Sequence, residues 1–188
     1  PPLSEKEISD RIEAGKGTWN VPSANYKMEY GFQSQRGYYP EALDKNNQDS
    51  FLVKTEVAGN KNIGYFGVYD GHGSTGDKCS NFVRDKIIGL LKSTIGSTAT
   101  DSAEFDEAYE RAYLMCNQLL HRAPFDDRTS GTTAVSAWID GRTVKIANIG
   151  DSRAVVAVQQ PNGKLVASPL SNDQTPYRKD ERERCKAC

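Results

Sequence analysis

The order of segments predicts an α+β fold with segregated layers: strands come first, then two helices, then strands again. Two further observations point the same way. The later β segments meet at tight-turn pairs such as Asp140-Gly141, which imply antiparallel neighbours. Each helical segment carries a single apolar stripe, suited to packing on a sheet. With 37% hydrophobic and 26% charged residues, the 188-residue chain has enough apolar side chains for one domain with a core.

Residues 1–28 are polar and low in periodicity, and read as an N-terminal arm lying on the domain. Within it only Ser4-Glu5-Lys6-Glu7-Ile8 has the pattern of a short helix. Residues 30–37 read as a strand and 40–47 as a loop of turn formers. Residues 50–57 and 63–70 read as a hairpin that turns at Gly59-Asn60. Between 77 and 91, Cys79, Phe82, Val83, Ile87, Leu90 and Leu91 recur at helical spacing. Asp101-Ser102-Ala103-Glu104 resembles a capping box, and Phe105, Ala108, Ala112, Met115, Cys116 and Leu119 mark one face of the helix it opens. Residues 132–139 and 142–149 form the hairpin around Asp140-Gly141. Residues 154–158 are apolar without alternation, which predicts a strand covered on both faces. Pro161-Asn162-Gly163 then turns into a strand at 164–169, and the mixed charges of 178–184 read as a solvated helix face.

A formal net charge of −1 argues against a nucleic-acid surface, which needs a clustered basic excess. No apolar run reaches membrane-spanning length, and no secretory pattern opens the chain, so an intracellular protein, cytoplasmic or nuclear, is expected. Four scattered cysteines are expected to be reduced thiols, the Cys185-x-x-Cys188 pair included. Pro1-Pro2 at one end and a charged run at the other suggest a piece of something longer.

Three acidic corners stand out: Gln48-Asp49 at the head of one strand, Asp70-Gly71 at the end of the next, and Gly150-Asp151. Antiparallel neighbours bring the first two to one sheet edge. Clustered carboxylates raise one another's pKa unless a cation or proton neutralises them, and an all-oxygen cluster selects hard ions such as Mg²⁺ or Mn²⁺. Each corner taken alone is more simply an Asp capping a turn. His72, one of two histidines, follows Asp70 and Gly71. Gly71 to Lys78 nearly spells a phosphate-binding loop, but Asp77 stands where its lysine belongs. His121 at a helix end reads as structural, and the hydroxyls of Ser130-Gly131-Thr132-Thr133 read as partners for buried backbone.

Asn47-Gln48-Asp49-Ser50, Val68-Tyr69-Asp70-Gly71-His72-Gly73, Ser130-Gly131-Thr132-Thr133-Ala134 and Asn148-Ile149-Gly150-Asp151-Ser152-Arg153-Ala154-Val155 occur in this order. Together they resemble the metal-dependent protein serine/threonine phosphatases of the PP2C (PPM) family, and Ser171-Asn172-Asp173-Gln174-Thr175-Pro176 is similar to that family's next block. The resemblance implies a two-sheet β-sandwich flanked by helices (αββα layers). This chain is expected to hold the N-terminal two-thirds of that catalytic domain at residues 29–188, truncated at the C-terminus.

The resemblance also implies roles. Asp70 and the Gly71 carbonyl are expected to hold two Mg²⁺ or Mn²⁺ ions with Asp49, and Asp151 a third. His72 is expected to act as general acid, and Lys45 or Arg36 to bind the substrate phosphate. Gln48 stands where many members carry Glu. The implied reaction is hydrolysis of phosphoserine and phosphothreonine in phosphoprotein substrates by a metal-activated water, with the truncated chain alone inactive. The alternative is a catalytically silent, phosphatase-like module held in a larger assembly.

Overall fold

The computed structural model describes residues 4–187; Cys188, the second half of the Cys-x-x-Cys pair, lies outside them. The chain order is α1 (Glu5–Ser9), β1 (Ile12–Val21), β2 (Tyr26–Gln35), β3 (Asp49–Lys54), β4 (Ile63–His72), α2 (Gly76–Ile95), α3 (Ala103–Leu120), β5 (Gly131–Thr132), β6 (Ala134–Asp140), β7 (Thr143–Ile149), β8 (Val155–Gln159), β9 (Leu165–Pro169) and α4 (Lys179–Ala187). The central sheet is antiparallel in the order β3-β4-β6-β7, with the short β5 continuing beside the end of β4. The fold is α+β, as the segment order predicts.

β4 sorts its side chains between two layers. Tyr65 and Tyr69 point to the helices and are fully buried, because residues four apart in a strand share a face. There they meet Val83, Ile87 and Leu91 of α2 and Phe105, Tyr109 and Tyr113 of α3. Full burial of each such side chain contributes roughly 1.5–3 kcal/mol. Four phenols enter this core because each finds a partner. Tyr65 Oη is 2.7 Å from Tyr69 Oη and 3.0 Å from Tyr113 Oη, and Ser136 Oγ serves Tyr113 at 2.8 Å and Tyr109 at 3.0 Å. Burial pushes all four phenols above their ordinary pKa.

Phe66, on the opposite face of β4, packs against Trp19 of β1 and Tyr30 of β2, with ring centroids 6.3 and 5.6 Å apart. β1 and β2 therefore form a second β layer over the central sheet. Trp19 lies directly on Gly64, where a Cβ would come within 2.6 Å of its ring. The Trp19 indole N–H donates to the Lys61 carbonyl, and Tyr26 Oη to the Gly141 carbonyl, which fastens this layer to the far turns of the sheet.

Three local readings need correction. Residues 12–21, read as low in periodicity within the arm, form a ten-residue strand paired along its whole length with β2. The cap of α3 is Ser102, whose Oγ accepts from the Phe105 N–H, and not Asp101. β8 is not covered on both faces: among the described residues it pairs only with β9, and Val155, Val158, Leu165 and Val166 are all exposed. The short helix opened by Ser4, the helical spacing of α2 and the turn at Asp140-Gly141 agree with the sequence reading.

Candidate active site

Asp49 opens β3, Asp70 lies near the end of β4, and the register pairs them directly. Like charges directly opposite in a sheet destabilise it, so such a pair is expected where something else neutralises them. Burial, and after it the Asp70 carboxylate, raise the Asp49 carboxyl above its ordinary pKa.

The backbone beyond Asp70 is packed from both sides. A Cβ on Gly71 would sit 2.2 Å from the Gly76 carbonyl oxygen at the start of α2 and 2.5 Å from that of Gln48. The Gly71 N–H donates to the Gln48 carbonyl at 3.1 Å, and Ser80 Oγ of α2 donates to the same carbonyl at 2.6 Å. Gln48 Nε2 donates to the Gly73 carbonyl at 2.6 Å. A glutamate cannot make that last bond while ionised, which gives the neutral residue a structural reason to be here. His72 is exposed and pairs across the sheet with Gly131, where a Cβ would come 2.9 Å from its Nε2. Ser130 Oγ accepts from the Thr75 N–H at 3.1 Å, so this hydroxyl serves backbone as the sequence suggested.

The third corner is held by side chains. Gly150 has φ +91, a conformation that suits glycine. Its N–H donates to Gln174 Oε1 at 2.9 Å, and its carbonyl accepts from the Gln174 N–H at 2.8 Å and from Asn148 Nδ2 at 3.1 Å. Arg153 grips Asp173 through two bonds at 2.9 and 2.5 Å, which fixes the same block against the turn. Among the described residues no three His, Cys, Asp or Glu side chains gather closely enough to hold a metal ion, so Asp151 does not complete the Asp49–Asp70 pair. The pair's donor chemistry, two carboxylates with no thiolate, fits a hard divalent ion and provides part of a shell.

The two basic candidates differ in their engagement. Arg36 spends Nε on the Lys45 carbonyl and Nη2 on the Ala42 carbonyl, the latter at 2.8 Å. Lys45 instead stacks its ammonium 4.2 Å from the centre of the Tyr39 ring. The sequence reading missed the organising roles of Thr133 and Gln174. Thr133 bonds both Asp70 and Ser152. No local pattern distinguishes a threonine that does this from one that starts a strand.

The profile described as Protein phosphatase 2C matches residues 29–187. This chain belongs to the protein phosphatase 2C family. Two relatives from Arabidopsis thaliana illustrate the match. "Probable protein phosphatase 2C 35" is 48% identical over 172 residues, covering 92% of this chain and 48% of its own length. "Probable protein phosphatase 2C 72" is 31% identical over 201 residues, covering 100% of this chain and 59% of its own length. The chain thus spans about half the length of the curated relatives it matches. The crystal structure of a serine-threonine phosphatase 2C from Toxoplasma gondii superposes with a TM-score of 0.59 at 21% identity, covering 94% of this chain and 54% of that one. That likeness confirms the phosphatase 2C fold and its antiparallel sheets.

Proposed function

We propose that the full-length protein is a metal-dependent phosphatase of phosphoserine and phosphothreonine, and that residues 29–188 are part of its catalytic domain with residues 1–28 as an N-terminal arm. The observation that carries this reading is the direct pairing of Asp49 with Asp70 at a sheet edge, in a chain of the phosphatase 2C family. In it Asp49, Asp70 and the Gly71 carbonyl hold two Mg²⁺ or Mn²⁺ ions, and Asp151 a third. When bound, such ions lower the pKa of a water and neutralise phosphoryl oxygens. His72 stands exposed beside Asp70 to donate a proton to the leaving alkoxide. Lys45 meets the phosphate as a point charge, while Arg36, two of whose donors go to backbone carbonyls, shapes the loop that carries it. The substrates are phosphoproteins of the cytoplasm or nucleus. No helix among the described residues is long and apolar enough to cross a membrane.

A silent, phosphatase-like module in a larger assembly is the second reading. It is favoured by the commitment of the Gln48 amide to Gly73 and by the separation of Asp151 from the carboxylate pair. Hydrolysis of a small aryl phosphate with added Mn²⁺ separates the two. The full-length protein should turn over, and the 188-residue chain alone should not. Asp70→Asn should lower the full-length rate by about a hundredfold or more, the scale of losing one charge-stabilising group. An unchanged rate in Asp70→Asn removes Asp70 from the mechanism, and no turnover with either Mn²⁺ or Mg²⁺ leaves the silent module.

A further inference from the structure

The sheet register continues from Val68 opposite Val135 to Gly71 opposite Thr132, which sets Asp70 opposite Thr133. In an ordinary hydrogen-bonded pair of this kind each N–H donates to the opposite carbonyl. Here only one of the two rungs is ordinary. The Thr133 N–H donates to the Asp70 carbonyl at 2.9 Å, but the Asp70 N–H donates to the Thr133 hydroxyl at 3.0 Å. The Thr133 carbonyl accepts instead from Thr132 Oγ1 at 2.9 Å.

Moving that rung from carbonyl to hydroxyl gives it a second reach. The same Thr133 Oγ1 lies 2.6 Å from Ser152 Oγ, and its methyl packs so closely on Gly150 that a Cβ there would be 2.8 Å away. Thr133 therefore touches the residues on either side of Asp151 while it holds the backbone of Asp70. It is 8% exposed, so water competes poorly for these bonds.

We propose that Thr133 is a positioning residue that fixes the Gly150–Ser152 turn relative to Asp70, and so sets where the ion of Asp151 lies relative to those of the Asp49–Asp70 pair. The proposal rests on the phosphatase reading for what the corners hold, and on the hydrogen bonds above for how they are held. It assigns separate work to the two halves of one side chain. The hydroxyl ties the corners, and the methyl fills the space against Gly150.

Thr133→Val keeps the shape and removes the hydroxyl; Thr133→Ser does the reverse. In the full-length protein, Thr133→Val should speed hydrogen exchange of the Asp70 amide and weaken Mn²⁺ binding, read by electron paramagnetic resonance, each by about tenfold, the worth of one hydrogen bond. The Mn²⁺ concentration for half-maximal aryl phosphate hydrolysis should rise by the same factor, with kcat at saturating Mn²⁺ near that of the parent. Thr133→Ser should stay near the parent in both exchange and binding. Ser152→Ala, which keeps the rung and cuts only the tie, should weaken Mn²⁺ binding without speeding the Asp70 amide. Unchanged Mn²⁺ binding in both Thr133→Val and Ser152→Ala overturns the proposal, even if the amide exchanges faster. Should the parent bind Mn²⁺ yet hydrolyse nothing, the phosphatase reading falls, while the binding series still decides the role of Thr133.

Discussion

At the Asp49–Asp70 edge, each carboxylate belongs to a strand hydrogen-bonded along its length, and β4 is backed by the buried Tyr65 and Tyr69. Asp151, by contrast, rides on a turn beyond the end of β7 that leads into β8 and β9, whose apolar side chains face outward. The first corner inherits its geometry from backbone pairing and the main core. The second depends on a few side-chain bonds from Thr133, Asn148 and Gln174. Backbone register gives rigidity to neighbours, whereas a turn far from the core needs dedicated partners. Substitutions at the two corners should therefore differ in kind as well as in size.

The largest effect is expected at Gly71. A methyl group there meets two backbone oxygens, of Gly76 and Gln48, and neither is the end of a flexible side chain. Relief requires α2 to retreat from β4, so Gly71→Ala should cost about 3 kcal/mol or more, at the upper end for overpacking. The measurement is the denaturant midpoint, and a loss under about 1 kcal/mol would show the contact to be looser than the geometry describes.

The same contrast governs what was legible in the sequence. Asp49 and Asp70 were placed together because two strands on either side of Gly59-Asn60 leave little freedom of register, and a one-residue slip reverses every face. The core of α2 and the hairpin at Asp140-Gly141 were legible for the same local reason. β1 was not, because half of its inward face is glycine: Gly15 lies under the Phe32 ring and Gly17 under Tyr30, which leaves only Trp19 and Val21 as buried apolar residues. A strand that lends glycines to its neighbour's aromatic rings shows too short an alternation to be read from sequence. The exposure of β8 was illegible too, since apolar composition does not state what packs on it. At the site, Asp151 was recognised as a corner, but the bonds that hold it come from residues distant in sequence.

Gln174 sharpens the comparison at intermediate scale. Gln174→Ala removes the bond from the Gly150 N–H and leaves the backbone bond to the Gly150 carbonyl, so it should cost about 1 kcal/mol. The Gly150 amide should exchange faster while the Asp70 amide does not. Matching acceleration at both amides would mean that the corners loosen as one unit, and that the backbone pairing of Asp70 gives it no support independent of the turn.

The smallest effect is expected in the hairpin beyond the second corner. Leu165 is 65% exposed on β9, where both faces of the β8–β9 ribbon meet solvent among the described residues. Leu165→Lys in the 188-residue chain removes little buried area and adds a charge that stays hydrated, so stability should change by no more than about 0.5 kcal/mol. Denaturant unfolding provides the test, and the turn at Gly150 should keep its amide protection because Gln174 and Thr133 hold it without help from the ribbon. A loss well above that figure would mean that the ribbon's apolar face is buried in solution, and the second corner would then share the kind of foundation that Tyr65 and Tyr69 give the first.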